Sequence, residues 1–155
     1  MQKSKNSIYL SIVVLAAVSV LLAVLLILGP AIFELYMVSY RGFAPKGEAL
    51  QLLKNVFGIC FYSSAVFAVI ILYALFRLLF NIKKGDVFIV GNVKCLKAVS
   101  WCCFAIATIT VSGGIFYMPL IFVAMAGVFT GILLRVLKNV MQSAVELRED
   151  NELTI

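Results

Sequence analysis

Four long apolar segments constrain this chain more than any other feature of its sequence. The first, at residues 8–28, carries no charge and as a helix reaches about 31 Å, enough to cross a bilayer core of about 30 Å. Further spans are predicted at about 56–80, 96–112 and 119–134. The mean hydropathy is +1.12 and 13% of the residues are charged, against about a quarter in soluble proteins. We therefore expect an all-α membrane protein with a single four-helix transmembrane domain over residues 1–155.

A basic stretch at residues 81–97 separates the second and third spans. Lys83 and Lys84 suit the last turn of an incoming helix, and Gly85 can adopt the left-handed conformation that closes it. Asp86 can cap a new helix that starts at Val87. The pattern predicts a helix-turn-helix corner that joins two transmembrane hairpins.

The distribution of positive charge predicts the topology. Ten of the 13 Lys and Arg residues fall on one side of a four-span arrangement. Because basic residues accumulate in cytoplasmic segments, both termini and the corner are predicted to face the cytoplasm. The ten are Lys3, Lys5, Arg77, Lys83, Lys84, Lys94, Lys97, Arg135, Lys138 and Arg148, and the other three are Arg41, Lys46 and Lys54.

The residues needed for catalysis and metal binding are sparse. The chain has no histidine, and the predicted spans contain no Asp or Glu, so a buried proton relay has no groups to use. Its four cysteines, Cys60, Cys95, Cys102 and Cys103, form no C-x-x-C pair and are interpreted as packing residues. We expect a non-enzymatic protein without cofactor or metal. The net charge of +6 lies between apolar segments, so direct nucleic-acid binding is not expected.

Gly127 and Gly131 form a G-x-x-x-G pattern in the fourth span. Two glycines one turn apart let another helix approach closely. The pattern fits packing within the monomer and a homodimer face equally well. The second reading supports an alternative function, a small dimeric transporter or an immunity or export accessory protein.

Beyond Arg135 a helical period continues into a cytoplasmic extension, residues 135–155, that ends in an acidic tail. Phe88, Asn92 and Leu96 are spaced by four, so their common face either packs on the fourth helix or receives a partner. Lys83, Lys84, Lys94 and Lys97 are predicted to contact anionic lipid headgroups of the bilayer.

The sequence Lys-Lys-Gly-Asp-Val-Phe-Ile-Val-Gly-Asn-Val-Lys-Cys-Leu-Lys at 83–97 and the terminal Glu-Leu-Arg-Glu-Asp-Asn-Glu-Leu-Thr-Ile at 146–155 resemble a bacterial family of small membrane proteins, domain of unknown function 2975. The resemblance covers most of the chain. It implies a four-helix inner-membrane protein, often encoded beside a small helix-turn-helix regulator of the phage-repressor type. The matching positions are Gly85, Phe88, Asn92, Leu96, Glu146, Leu147, Asn151, Leu153, Thr154 and Ile155.

These observations favour a membrane anchor or sensor partner for a cytoplasmic helix-turn-helix regulator. The partner surface is predicted to combine the corner with the acidic tail, whose negative charge would attract a basic DNA-binding domain. The residues assigned to it are Phe88, Asn92, Leu96, Glu146, Leu147, Asn151, Leu153 and Ile155.

Overall fold

The computed structural model of the chain describes residues 2–40, 47–115 and 118–153. Side chains are described for these residues except 2–7, 36–40, 49, 152 and 153. Of the basic residues counted for the topology, Lys3, Lys5, Arg41 and Lys46 have side chains outside the described residues.

The described part of the chain forms four α-helices, which confirms the predicted all-α fold. They are α1 (Gln2–Tyr40), α2 (Glu48–Lys84), α3 (Val90–Gly114) and α4 (Pro119–Leu153). Each contains a segment long and apolar enough to cross a membrane. The helices are longer than the predicted spans, because a helix continues for as long as its backbone hydrogen bonds do, whereas a span ends where side chains become charged.

Gly29 and Pro30 do not end α1, although the first span was predicted to stop at residue 28. Proline removes one backbone donor, yet Pro30 lies inside a continuous helix. Gly29 is buried against the ring of Phe61, where a Cβ atom would lie 2.8 Å from Phe61 Cζ. Because glycine has no side chain, the Phe61 ring packs directly on the backbone of α1. This contact keeps α1 close to α2 at that level.

The corner closes α2 as predicted but starts α3 later. Gly85 is left-handed with φ 95°, its amide donates to the Ile82 carbonyl, and the Asp86 amide donates to the Asn81 carbonyl. The expected Asp86 cap was wrong: α3 begins at Val90 after an extended Ile89, with no side-chain cap. The reason is that the Asp86 backbone belongs to the closing motif of α2.

Consecutive helices pack antiparallel, and α3 is the most buried of the described helices. Among the described residues, close backbone contacts join α1 to α2, α2 to α3 and α3 to α4. A core of Ala74 from α2 with Cys95, Val99 and Cys103 from α3 is covered by Leu134 of α4. Both predicted hairpins are thus present, and α2 also packs on α3.

The outer helix α1 is attached to α2 along its length. Phe33 and Phe57 stack with ring centroids 4.0 Å apart. Beside them the Lys54 Nζ atom lies 2.7 Å from the Glu34 carboxylate. At the opposite end of the pair, the Lys83 ammonium lies 4.9 Å from the ring centre of Tyr9. The start of α1 and the corner therefore share one end of the molecule.

Candidate functional site

Asn92 joins the parts of the corner. Its side chain is 0% exposed, and its Nδ2 atom donates to the carbonyls of Asp86 and Val87, each at 2.8 Å. Its Oδ1 atom accepts a hydrogen bond of 2.8 Å from Asn81 Nδ2. One buried amide thereby fixes the end of α2, the linking residues and the first turn of α3, meeting the need for partners that a buried polar group has.

The face formed by Phe88, Asn92 and Leu96 is only partly open. Phe88 is 46% exposed, whereas Leu96 is 2% exposed and Asn92 is fully covered. Asn92 and Leu96 therefore pack within the protein and offer no surface to a partner in this conformation. Phe88 is the member of the set that stands at the surface.

The far part of α4 packs beside the corner. Val145 is buried, and Glu146, Leu147 and Asn151 are exposed. The Gln142 Nε2 atom donates to the Glu146 carboxylate at 2.9 Å. The side chain of Leu153 and the whole of Ile155 lie outside the described residues. All three predicted α4 surface residues with described side chains thus face outward, on a helix held by Val145.

Two adjoining grooves, here called the corner grooves, run between the corner and α4. Each has a volume of about 310 Å³. They share Val90, Val145 and Glu149. The first is also lined by Val93, Lys94, Lys97, Lys138, Gln142 and Glu146, and the second by Asp86, Phe88, Ile89 and Arg148.

Charge is divided along the first of these grooves. Lys94, Lys97 and Lys138 lie on the part nearest the apolar spans, while Glu146 and Glu149 lie two to three turns farther along α4. An anionic bilayer surface attracts the first group and repels the second. The three lysines are therefore expected to face the membrane. The two glutamates, here called the acidic rim, are expected to face away from it.

The two lysines at the end of α2 contact aromatic rings. The Lys84 ammonium lies 4.7 Å from the ring centre of Phe80, and Lys83 lies over Tyr9. Cation–π contacts of this kind bind the ammonium group weakly while leaving it near water. Both side chains are exposed, as the predicted headgroup contact requires.

Gly127 and Gly131 face α3 inside the chain. A Cβ atom on Gly127 would lie 3.3 Å from the Ala107 Cβ atom, and one on Gly131 would lie 3.1 Å from the Phe104 ring. The Ser100 hydroxyl donates to the Gly131 carbonyl at 2.8 Å. Of the two readings left open by the pattern, the structure uses the glycines for packing within the monomer.

Several contacts at the end of the molecule that carries the corner were not predicted from the sequence. Asn81 was not identified as the partner of Asn92, although an asparagine on each side of a Gly85 turn is a usable signal. The contact between Arg135 and Trp101, with 5.3 Å from the guanidinium carbon to the ring centre, was not predicted either. Their contact depends on the relative rotation of α3 and α4, which the pattern in one helix does not reveal.

The four cysteines are free and buried. Among the residues that the structure describes, no group of three or more His, Cys, Asp or Glu side chains is placed to hold a metal ion. The end of the molecule that carries the corner presents exposed charge, the exposed ring of Phe88 and the two corner grooves.

Comparison with known proteins gives one match. The model of a family described as "Protein of unknown function (DUF2975)" matches residues 7–155. No curated protein and no solved structure matches the chain significantly.

Proposed function

We propose that this chain, which belongs to the DUF2975 family, is a non-enzymatic membrane anchor that holds a cytoplasmic helix-turn-helix transcription regulator at the inner face of a bacterial cytoplasmic membrane. The observation that carries the proposal is the extension of α4. The helix continues without interruption from Arg135 to Leu153, about 27 Å past the last uncharged turn of its span. A helix that extends this far can present a docking surface beyond the lipid headgroups.

Charge complementarity supports the choice of partner. The far part of α4 carries Glu146, Glu149 and Asp150, all exposed. A DNA-binding domain has a basic surface because it neutralises phosphates, and an acidic helix can compete with DNA for that surface. The regulator would then occupy either its operator or the membrane. The class of regulator is taken from the resemblance described above, which implies that such a protein is often encoded beside members of the family.

The corner grooves add an apolar contact to the acidic rim. Phe88 is an exposed aromatic ring at the edge of the second groove, next to Glu149. Interfaces commonly combine an aromatic anchor with a polar rim. A regulator helix that carries basic residues and one apolar side chain has both contacts available in these grooves.

The alternative function, a dimeric transporter or an immunity or export accessory protein, depended on the glycine pattern of α4. In this structure α3 covers Gly127 and Gly131. No specific observation therefore favours the alternative.

The proposal is tested by purifying tagged full-length protein from native membranes and measuring recovery of the helix-turn-helix regulator encoded beside it. E146Q/E149Q should reduce recovery by roughly tenfold, since each contact between exposed charges contributes about 0.7 kcal/mol and two of them make about 1.4 kcal/mol, a factor of ten in affinity. Deleting residues 149–155 should also reduce recovery of the regulator. The matched control E34Q/E48Q removes two negative charges from the opposite end and should leave recovery unchanged. Failure of the unaltered protein to retain the regulator, or equal recovery with E146Q/E149Q, would refute the proposal.

A further inference from the structure

A small basic recess lies between α3 and α4 and shares Lys97 and Lys138 with the first corner groove. It has a volume of about 50 Å³ and is lined by Lys97, Ser100, Trp101, Arg135 and Lys138. This is less space than two water molecules occupy in the liquid, at about 30 Å³ each. Three of the five lining residues are cationic and none is acidic. The recess therefore suits one small anionic group.

The recess lies at the level of the lipid phosphates. Lys97 is the last charged residue before the apolar part of α3, and Arg135 is the first after the apolar part of α4. The uncharged stretches, 98–114 and 119–134, are each about 25 Å long as helices, slightly shorter than the hydrocarbon core. A span of that length is accommodated by local thinning and by long basic side chains that reach the headgroups. Its terminal cations consequently meet the phosphate layer.

The walls of the recess are held in place. The Ser100 hydroxyl bonds α3 to the Gly131 carbonyl of α4 at 2.8 Å. The Arg135 guanidinium lies 5.3 Å from the ring centre of Trp101. A guanidinium over an aromatic ring can still offer its planar fork of N–H donors, the arrangement that matches phosphate oxygens.

We propose that the basic recess binds the phosphodiester group of one anionic phospholipid from the leaflet that faces the corner. A lipid fits better than a soluble phosphate because exposed apolar surface continues from the recess into the membrane region. Trp101 is exposed, and Ile132 and Val128, three and seven residues before Arg135 on α4, are exposed as well. Acyl chains can lie along these side chains while the phosphate contacts Lys97, Arg135 and Lys138.

This site differs from general attraction of basic residues to an anionic surface. Lys83 and Lys84 lie at the same end of the molecule, but each contacts an aromatic ring of α1 or α2 instead of a shared recess. They provide a matched control, since removing either pair of lysines changes the net charge equally.

The single tryptophan of the chain reports directly on the recess. Full-length protein is reconstituted into phosphatidylcholine vesicles that contain phosphatidylglycerol, with bromine on the acyl chains of one lipid or the other. Quenching of Trp101 by each brominated lipid gives the binding constant of phosphatidylglycerol relative to phosphatidylcholine at this position. Helix content from circular dichroism checks that each variant is folded. K97Q, at an exposed position, replaces the double variant K97Q/K138Q should the latter lose helix content.

We expect phosphatidylglycerol to be enriched about fivefold or more beside Trp101, since each basic residue near an anionic surface contributes about a factor of five. K97Q/K138Q should lower this preference by about fivefold or more. K83Q/K84Q should preserve it. Absence of the preference, an equal loss with K83Q/K84Q, or abolition of the preference by millimolar inorganic phosphate would overturn the proposal.

Discussion

Asn81 and Asn92 meet across the corner, where the Asn81 Nδ2 atom donates a 2.8 Å hydrogen bond to the Asn92 Oδ1 atom. Asn81 lies in the last turn of α2 and Asn92 in the first turn of α3. The bond therefore links two helices across the turn that reverses the chain. Together with the two carbonyls that Asn92 contacts, it explains why an amide occupies this buried position.

Replacing Asn92 by aspartate tests this role. N92D removes the Nδ2 donor and leaves the carbonyls of Asp86 and Val87 facing an oxygen, so the free energy of unfolding should fall by about 3 kcal/mol. Denaturant unfolding in detergent, followed by circular dichroism, measures the change. N151D makes the same substitution at an exposed position and should alter stability by less than about 0.5 kcal/mol. Similar stabilities of N92D and N151D would contradict the interpretation.

Gly127 should tolerate a larger side chain poorly, because α3 lies against it. G127L forces Cβ toward Ala107 and the Cys103 carbonyl, and overpacking of this kind costs about 1–3 kcal/mol. G58L is the control, since nothing lies within 4 Å of a Cβ atom placed there. Unfolding in detergent should separate the two variants. Unchanged stability of G127L together with loss of a crosslinked dimer would instead identify the glycines as a dimer face.

Cysteine labelling tests the predicted orientation. N151C should react with a membrane-impermeant maleimide only after cells are permeabilised, whereas Q51C at the opposite end should react in intact cells, because basic residues accumulate on the cytoplasmic side. The four native cysteines are buried and should contribute little background. K84C should behave like N151C, since the corner and the far part of α4 lie together. Labelling of N151C from outside would place the proposed regulator surface on the wrong side of the membrane.

Replacing Phe33 should weaken the packing of α1 on α2 far more than replacing its neighbour Glu34. E34Q removes the ion pair between Lys54 and Glu34, whose side chains are 32% and 59% exposed. It should therefore lower the free energy of unfolding by at most about 0.5 kcal/mol, and by less at high salt. F33A removes a buried ring stacked on Phe57 and should cost about 3 kcal/mol. Unfolding of the two variants at low and high ionic strength provides the measurement. A larger loss for E34Q would show that the ion pair dominates this contact.

Local chemistry made parts of the corner predictable. A left-handed Gly85 after Lys83 and Lys84 follows from the backbone freedom of glycine, which acts within a few residues. The start of α3 was less predictable because Asp86 was a plausible cap for α3, while its amide is used to close α2. Competing local uses of one residue are resolved by the contacts around it.

The amino-acid sequence by itself determined that the chain forms four helices that can span a membrane, since the number and length of the apolar segments and the charges that bound them set these features. Tertiary structure decided that α3 is the most buried of the described helices, that Gly127 and Gly131 face it, and that Arg135 lies over Trp101. The physical reason is that the length and composition of a span depend on its own residues, whereas contacts between helices depend on their relative rotation and depth. Those are set by the close packing of side chains from segments far apart in the chain.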